Sequence, residues 1–189
     1  AGAERIFYDC QLHDIPNTVA GAVRAITDMG VWMFNVHASG GARMIAAARE
    51  AITERSNEAK APPPLLLGVT LLTSLTAEEL ALELRVDLGP NDYAATLAQM
   101  AVANGCDGIV CSPHEIAAVR ARCGQIPAIV TPGVRPAWAS SHDQRRIMTP
   151  SEAVAAGADY LVIGRPITRA EDPAAAADRI ADEIANALP

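Results

Sequence analysis

From Pro62 to Ser74 the chain reads PPPLLLGVTLLTS: a run of prolines, then Leu65-Leu66-Leu67-Gly68-Val69, then the polar pair Thr73-Ser74. The apolar run is strand-sized and carries no polar residue on either face, so a strand made from it needs cover on both sides. Tyr160-Leu161-Val162-Ile163 has the same character. A parallel sheet wrapped by helices supplies such cover, because crossover helices lie on the faces of the strands they connect.

Working outward, strand and helix signals alternate along the whole chain. Strands are expected at Arg5 to Cys10, Val31 to Val36, Leu65 to Leu71, Gly108 to Cys111, Ala128 to Thr131 and Tyr160 to Ile163. Between and after them, helical spacing runs over Val19 to Met29, Ala42 to Arg55, Thr76 to Leu84, Asp92 to Asn104, Pro113 to Arg122, Pro150 to Ala156 and Pro173 to Leu188. Six βα units result. A doubly wound sheet and a (β/α) barrel both fit that alternation. Asp9, His37, Thr73, Ser112, Thr131 and Gly164-Arg165 all fall at or just past the carboxyl ends of their strands. Polar ends gathered on one side suit loops that share a single cavity, which favours the barrel. Eight-unit barrels take roughly 250 residues, so the 189 residues here read as one barrel domain over 1–189, incomplete at its N-terminus.

Composition narrows the function. The chain is 50% hydrophobic and only 4% aromatic, which suits a core of small and branched aliphatics. Fifteen Lys and Arg against 22 Asp and Glu leave a net charge of −7, which argues against a nucleic-acid or anionic-membrane partner. A small anionic ligand remains compatible, held by local arginines and helix N-termini. No apolar run approaches the ~20 residues of a membrane span. The opening AGAERIFYDC is charged where a signal peptide would be apolar, and it lacks an initiator Met. Cys10, Cys106, Cys111 and Cys123 show neither CxxC nor zinc-ligand spacing and read as reduced residues of a cytoplasmic protein.

Three segments carry chemistry. Asp9-Cys10-Gln11-Leu12-His13-Asp14 leaves a strand with Asp9 and Gln11 on one face and Asp14 in the following loop. Such carboxylates can hold a charge network or a metal; alternatively, Asp14 caps the helix near Pro16. Val162-Ile163-Gly164-Arg165 ends a late strand in a backbone N–H and a guanidinium suited to phosphate, and Thr131-Pro132-Gly133-Val134-Arg135-Pro136 adds a second rigid turn with an Arg.

Together, DCQLHDIPNT (9–18), NVHASGG (35–41), VTLLTS (69–74), DGIVCS (107–112), TPGVRP (131–136), DQRRIMTP (143–150) and GADYLVIGRPIT (157–168) resemble the bacterial orotidine 5′-phosphate decarboxylases over essentially the whole chain. The resemblance implies a (β/α)8 TIM barrel and a homodimer with shared active sites. It implies conversion of orotidine 5′-monophosphate to UMP and CO2, in de novo pyrimidine synthesis, without cofactor or metal. By position, Asp9 belongs to a charged network beside the scissile carboxylate, while Asp14 and Thr18 reach into the neighbouring subunit's site. Thr73 and Ser74 lie beside the pyrimidine. Gln144 bridges base and phosphate, and Arg135, Gly164 and Arg165 hold the loop and the phosphate.

Two departures accompany the resemblance. The family motif has Lys where this chain has Gln11. That Lys stabilises and then protonates the carbanion left by CO2, so Gln11 reads as an inactivating substitution, introduced by engineering in preference to natural drift. Two βα units of the family barrel precede the Asp9 strand and have no counterpart here. Two other functions are compatible: a Mg²⁺-dependent phosphate-sugar lyase of the same superfamily, with His13 and His37 as ligands, and a non-catalytic nucleotide-binding homologue.

Overall fold

Proline opens several of the helices that cover the sheet, because its fixed φ suits a first helical turn and its missing N–H costs nothing there. The computed structural model describes residues 5–125, 127–139 and 148–186. Its strands are β1 Phe7–Leu12, β2 Met33–His37, β3 Leu65–Val69, β4 Gly108–Val110, β5 Ala128–Pro132 and β6 Tyr160–Val162. The helices are α1 Pro16–Asp28, α2 Ala42–Ala59, α3 Ala77–Leu82, α4 Pro90–Ala103, α5 Ile116–Cys123, α6 Pro150–Ala155, α7 Arg165–Thr168 and α8 Pro173–Ala185.

The strands form one sheet in the order β1-β2-β3-β4-β5-β6, every neighbouring pair parallel. Strand order that never reverses is barrel winding, with no switch point of the doubly wound kind. The sheet is curled. Trp32, just before β2, meets Tyr160 at the start of β6 edge to face, with ring centroids 5.1 Å apart, although three strands separate them in the sheet. Arg5 lies over the same Trp32 ring at 5.1 Å.

Curling splits the core into two layers. Outside, Phe34, Val36, Leu66, Ile109 and Ile129 pack against helix residues such as Val23, Ile45 and Ala98. Inside, Met33, Leu67, Val69, Val110 and Val130 close on one another. Alternate residues of β3 therefore serve opposite layers, the physical reason its sequence is apolar throughout.

At the amino ends of the strands one clamp is built twice. Arg49 of α2 donates to the Gly105 carbonyl at 2.8 Å and pairs with Asp107, whose carboxylate accepts the Leu66 N–H at 2.7 Å. Arg120 of α5 donates to the Gly157 carbonyl at 3.0 Å and to Asp159 at 2.7 Å, and Asp159 accepts the Ile129 N–H at 2.7 Å. In both, a glycine with φ near +107° lets the chain reverse from helix into strand, at Gly105 and at Gly157. The repeated G-x-D is thus a structural device on the face opposite the polar strand ends.

Some boundaries move. β1 runs two residues later than expected at both ends, because Trp32 and Met33 donate to the Ile6 carbonyl before the ladder begins. β3 stops at Val69, where Thr70 turns its N–H and hydroxyl onto the Val110 carbonyl. The helix after β4 starts as a tight turn, Pro113–Glu115, before α5, and the short α7 was not foreseen. Arg120→Ala removes charge-assisted bonds to the turns that lead into β5 and β6, and urea unfolding is expected to show a loss of about 2–3 kcal/mol. A loss under ~0.5 kcal/mol would mean that the clamp is dispensable.

Candidate functional site

The site grows out of an irregularity in β1. Tyr8 pairs with Phe34, yet the next paired residue, Leu12, sits opposite Val36, so four steps on β1 span two on β2. The slack is taken up at Gln11, whose φ of 46° is left-handed and unusual for a residue with a side chain. Asn35 holds it there. The Gln11 N–H donates to Asn35 Oδ1 at 2.8 Å, which fixes the Asn35 amide with Nδ2 pointing the other way, and Nδ2 donates to Asp9 Oδ1 at 2.6 Å. Gln11 Nε2 then donates to the same Asp9 oxygen at 3.1 Å. Asn35 is only 1% exposed and is paired at both ends of its amide.

Asp9 and Gln11 border a cavity of about 180 Å³, with Thr73 after β3, Cys111 after β4, Pro132 of β5 and Val162 of β6 on its other sides. This is the interior of the curl at the carboxyl ends of the strands. A separate cleft of about 300 Å³ lies on the helix side of β1, lined by Gln11, His13, Asp14 and Thr18. Gln11 borders both. The two carboxylates read from one motif therefore part company, Asp9 facing the interior and Asp14 the outer cleft.

Asp14 also corrects the capping expectation. Its Oδ1 accepts the Ile15 N–H at 2.6 Å, but the helix N-cap is Ile15 itself, which has no side-chain cap. Thr73 and Ser74 are both exposed, and only Thr73 lines the cavity. Gly164 caps α7 and Arg165 opens it, directly beyond the cavity wall at Val162. Arg135 is half-buried, its N–H donating to the Met148 carbonyl at 3.1 Å. Gln144 lies outside the described residues.

His13 and His37 lie with ring centroids 5.5 Å apart. Burial, and then the neighbouring His13, push the His37 imidazole below its usual range, while Asp9 opposes the shift. Among the described residues, no group of three His, Cys, Asp or Glu side chains comes together as a metal site. The four cysteines are free, and burial raises the thiol of each, that of Cys106 to about 12.

Two residues escaped the sequence reading. Asn35 carried a signal, being the only polar residue in the expected strand Val31 to Val36. Glu115 did not. It is 5% exposed, accepts the Ser112 N–H at 3.0 Å and completes a capping box just past β4.

Residues 1–180 match the family described as Orotidine 5'-phosphate decarboxylase / HUMPS family. The chain is similar to the orotidine 5'-phosphate decarboxylase of Nostoc sp., 50% identical over 181 residues, which span 96% of this chain and 76% of that protein. It is 52% identical over 183 residues to that of Syntrophotalea carbinolica, spanning 97% of this chain and 75% of that one. Among solved structures it resembles orotidine 5'-phosphate decarboxylase from Lactobacillus acidophilus, with a TM-score of 0.82 and 38% identity over 95% of this chain and 75% of that one. No helix among the described residues is long and apolar enough to cross a membrane.

Burial pushes the Glu115 carboxyl up from 4.5 to about 7, against the Ser112 N–H that draws it down. In that interval the folded chain keeps a proton that the unfolded chain has released, so this group's contribution to stability is lost as pH rises from about 4.5 to about 7. Glu115→Gln is expected to remove that decline, leaving the variant ahead of the parent by up to about 3 kcal/mol above pH 7 in denaturant unfolding. Parallel pH profiles for the two proteins would contradict it.

Proposed function

The chain belongs to the Orotidine 5'-phosphate decarboxylase / HUMPS family, and we propose that its interior cavity is the family's pyrimidine nucleotide site. The observation that carries this is the convergence of Asp9, Gln11 and Thr73 on one cavity at the carboxyl ends of the strands, with Gly164-Arg165 just beyond its rim. The pyrimidine lies against Thr73, with Ser74 beside it in the chain at the cavity's edge. The phosphate is held by Gly164, Arg165 and Arg135, with Gln144 bridging base and phosphate. The reaction is decarboxylation: the bond from ring carbon C6 to the carboxylate breaks, CO2 leaves, and the electron pair left on C6 takes a proton. This is the chemistry of de novo pyrimidine synthesis, in the cytoplasm, and it needs no cofactor. Phosphate held at the rim contributes binding energy that positions the distant carboxylate.

Gln11 limits the chemical step. A side-chain amide carries no charge to stabilise the C6 carbanion and no acidic proton to quench it. The Gln11 hydrogen bond to Asp9 also favours a second reading, a nucleotide-binding protein with little turnover. Following orotate absorbance separates the two. Gln11→Lys is expected to raise the decarboxylation rate by at least ~10²-fold, the lower end of what a positioned general acid contributes. No gain would remove position 11 from the reaction and leave the binding role.

A homodimer that covers the outer cleft is part of this proposal. Asp14 and Thr18 line that cleft, and Ile15 between them is 67% exposed, an apolar residue suited to a partner surface. Light scattering is expected to give twice the 19.8 kDa of one chain, falling to one chain for Ile15→Asp. A parent protein that runs as a monomer would end this part of the reading.

A further inference from the structure

We infer that Arg179 of α8 is a positioning residue for the phosphate end of the site, acting through Trp138. The inference rests on the nucleotide-site reading and extends it to a residue outside the cavity wall. Its ground is the way the two arginines proposed for the phosphate leave the sheet. Pro132 of β5 and Val162 of β6 are register partners, and both border the cavity. Arg135 and Arg165 each follow three residues later, so the two depart side by side. Arg165 opens α7, whereas Arg135 lies in a turn whose place depends on what holds it.

Backbone and side chain both hold that turn. The Arg135 N–H donates to the Met148 carbonyl at 3.1 Å, and Val134 forms a bridge with Met148. The Ala139 N–H donates to the Pro136 carbonyl at 3.0 Å, which bends the chain around Trp138. Trp138 is half-buried, and the Arg179 guanidinium stands over its ring, 4.5 Å from the centroid. A cation at that distance is attracted by the negative face of the indole, which ties the far side of the turn to α8.

α8 is a firm mount for this contact. Its Ala176 and Ile180 are buried, and it packs against both α6 and α7. α7 begins with Arg165, and α6 begins just after Met148, the partner of the Arg135 turn. One helix therefore bears on both phosphate elements, on Arg165 through α7 and on Arg135 through Trp138. Releasing Trp138 lets the Arg135 turn shift relative to Arg165, and the effect falls on the phosphate. The base side of the cavity comes from β3, β4 and the loop carrying Thr73, so the pyrimidine contacts keep their places.

Titration calorimetry with UMP, and with uridine by displacement of UMP, tests this on the parent chain, Arg179→Gln, Arg179→Lys, Trp138→Leu and the double variant Arg179→Gln/Trp138→Leu. Arg179 is exposed, so its replacements are expected to fold, and circular dichroism checks each variant. A cation–π contact of this kind converts to roughly two- to fivefold in an equilibrium constant. Arg179→Gln is expected to weaken UMP by about threefold and to leave uridine, which lacks the phosphate, unmoved. Arg179→Lys keeps a cation over the ring and is expected to stay close to the parent. The double variant is expected to lose no more UMP affinity than Trp138→Leu alone, because the two residues act as one unit. UMP and uridine weakened alike, losses that add in the double variant, or an unchanged UMP affinity in Arg179→Gln each overturn the positioning role and leave the nucleotide site standing. A parent chain that binds neither ligand overturns the nucleotide-site reading and this inference with it.

Discussion

In this chain a parallel sheet with leucine and valine on both faces curls until its inner face packs on itself, and the rest of the structure depends on that curl. Six strands in sequential order bring Met33, Leu67, Val69, Val110 and Val130 into contact inside, while the helices cover the outside. Trp32 and Tyr160 meet edge to face at the amino ends. At the carboxyl ends lies the cavity, bordered by Asp9, Thr73, Pro132 and Val162 from separate strands and loops.

The two ends differ in construction, with ion-pair clamps at the amino ends and the cavity at the carboxyl ends. Arginine and aspartate serve the amino ends: Arg49 with Asp107 and Arg120 with Asp159 tie a helix to the turn before a strand and to the neighbouring strand's backbone. Among the described residues, no such clamp is built at the carboxyl ends. Arg165 is exposed, and Asp9 meets amides in place of a cation. Local strain also lies at this end, in the left-handed backbone of Gln11, and it persists because buried Asn35 holds it from the neighbouring strand.

Position 11 carries glutamine, whose side chain donates a hydrogen bond to Asp9. An amide there orients the carboxylate without neutralising it. Asp9 and Asp14 face different spaces, and Asp9 has two amide donors.

Strand order, helix-covered sheet and the polar carboxyl ends were legible in the residues because each is a matter of local period: two-sided apolar runs such as Leu65 to Val69, and Gly, Pro or polar residues where those runs stop. The same local pattern marked Asp9, Gln11, Thr73 and Gly164-Arg165 as strand-end residues. Only the tertiary structure decided that Asp14 and Thr18 face away from the interior cavity, that Asn35 on a neighbouring strand governs Gln11, and that Glu115 is buried. Those facts turn on which segments meet across 24 or more residues, as Gln11 and Asn35 do, and on a bulge that breaks the period of two. Periodicity carries the direction of a side chain along its own strand, while its partner is set by the register between strands, which appears only once the sheet has closed.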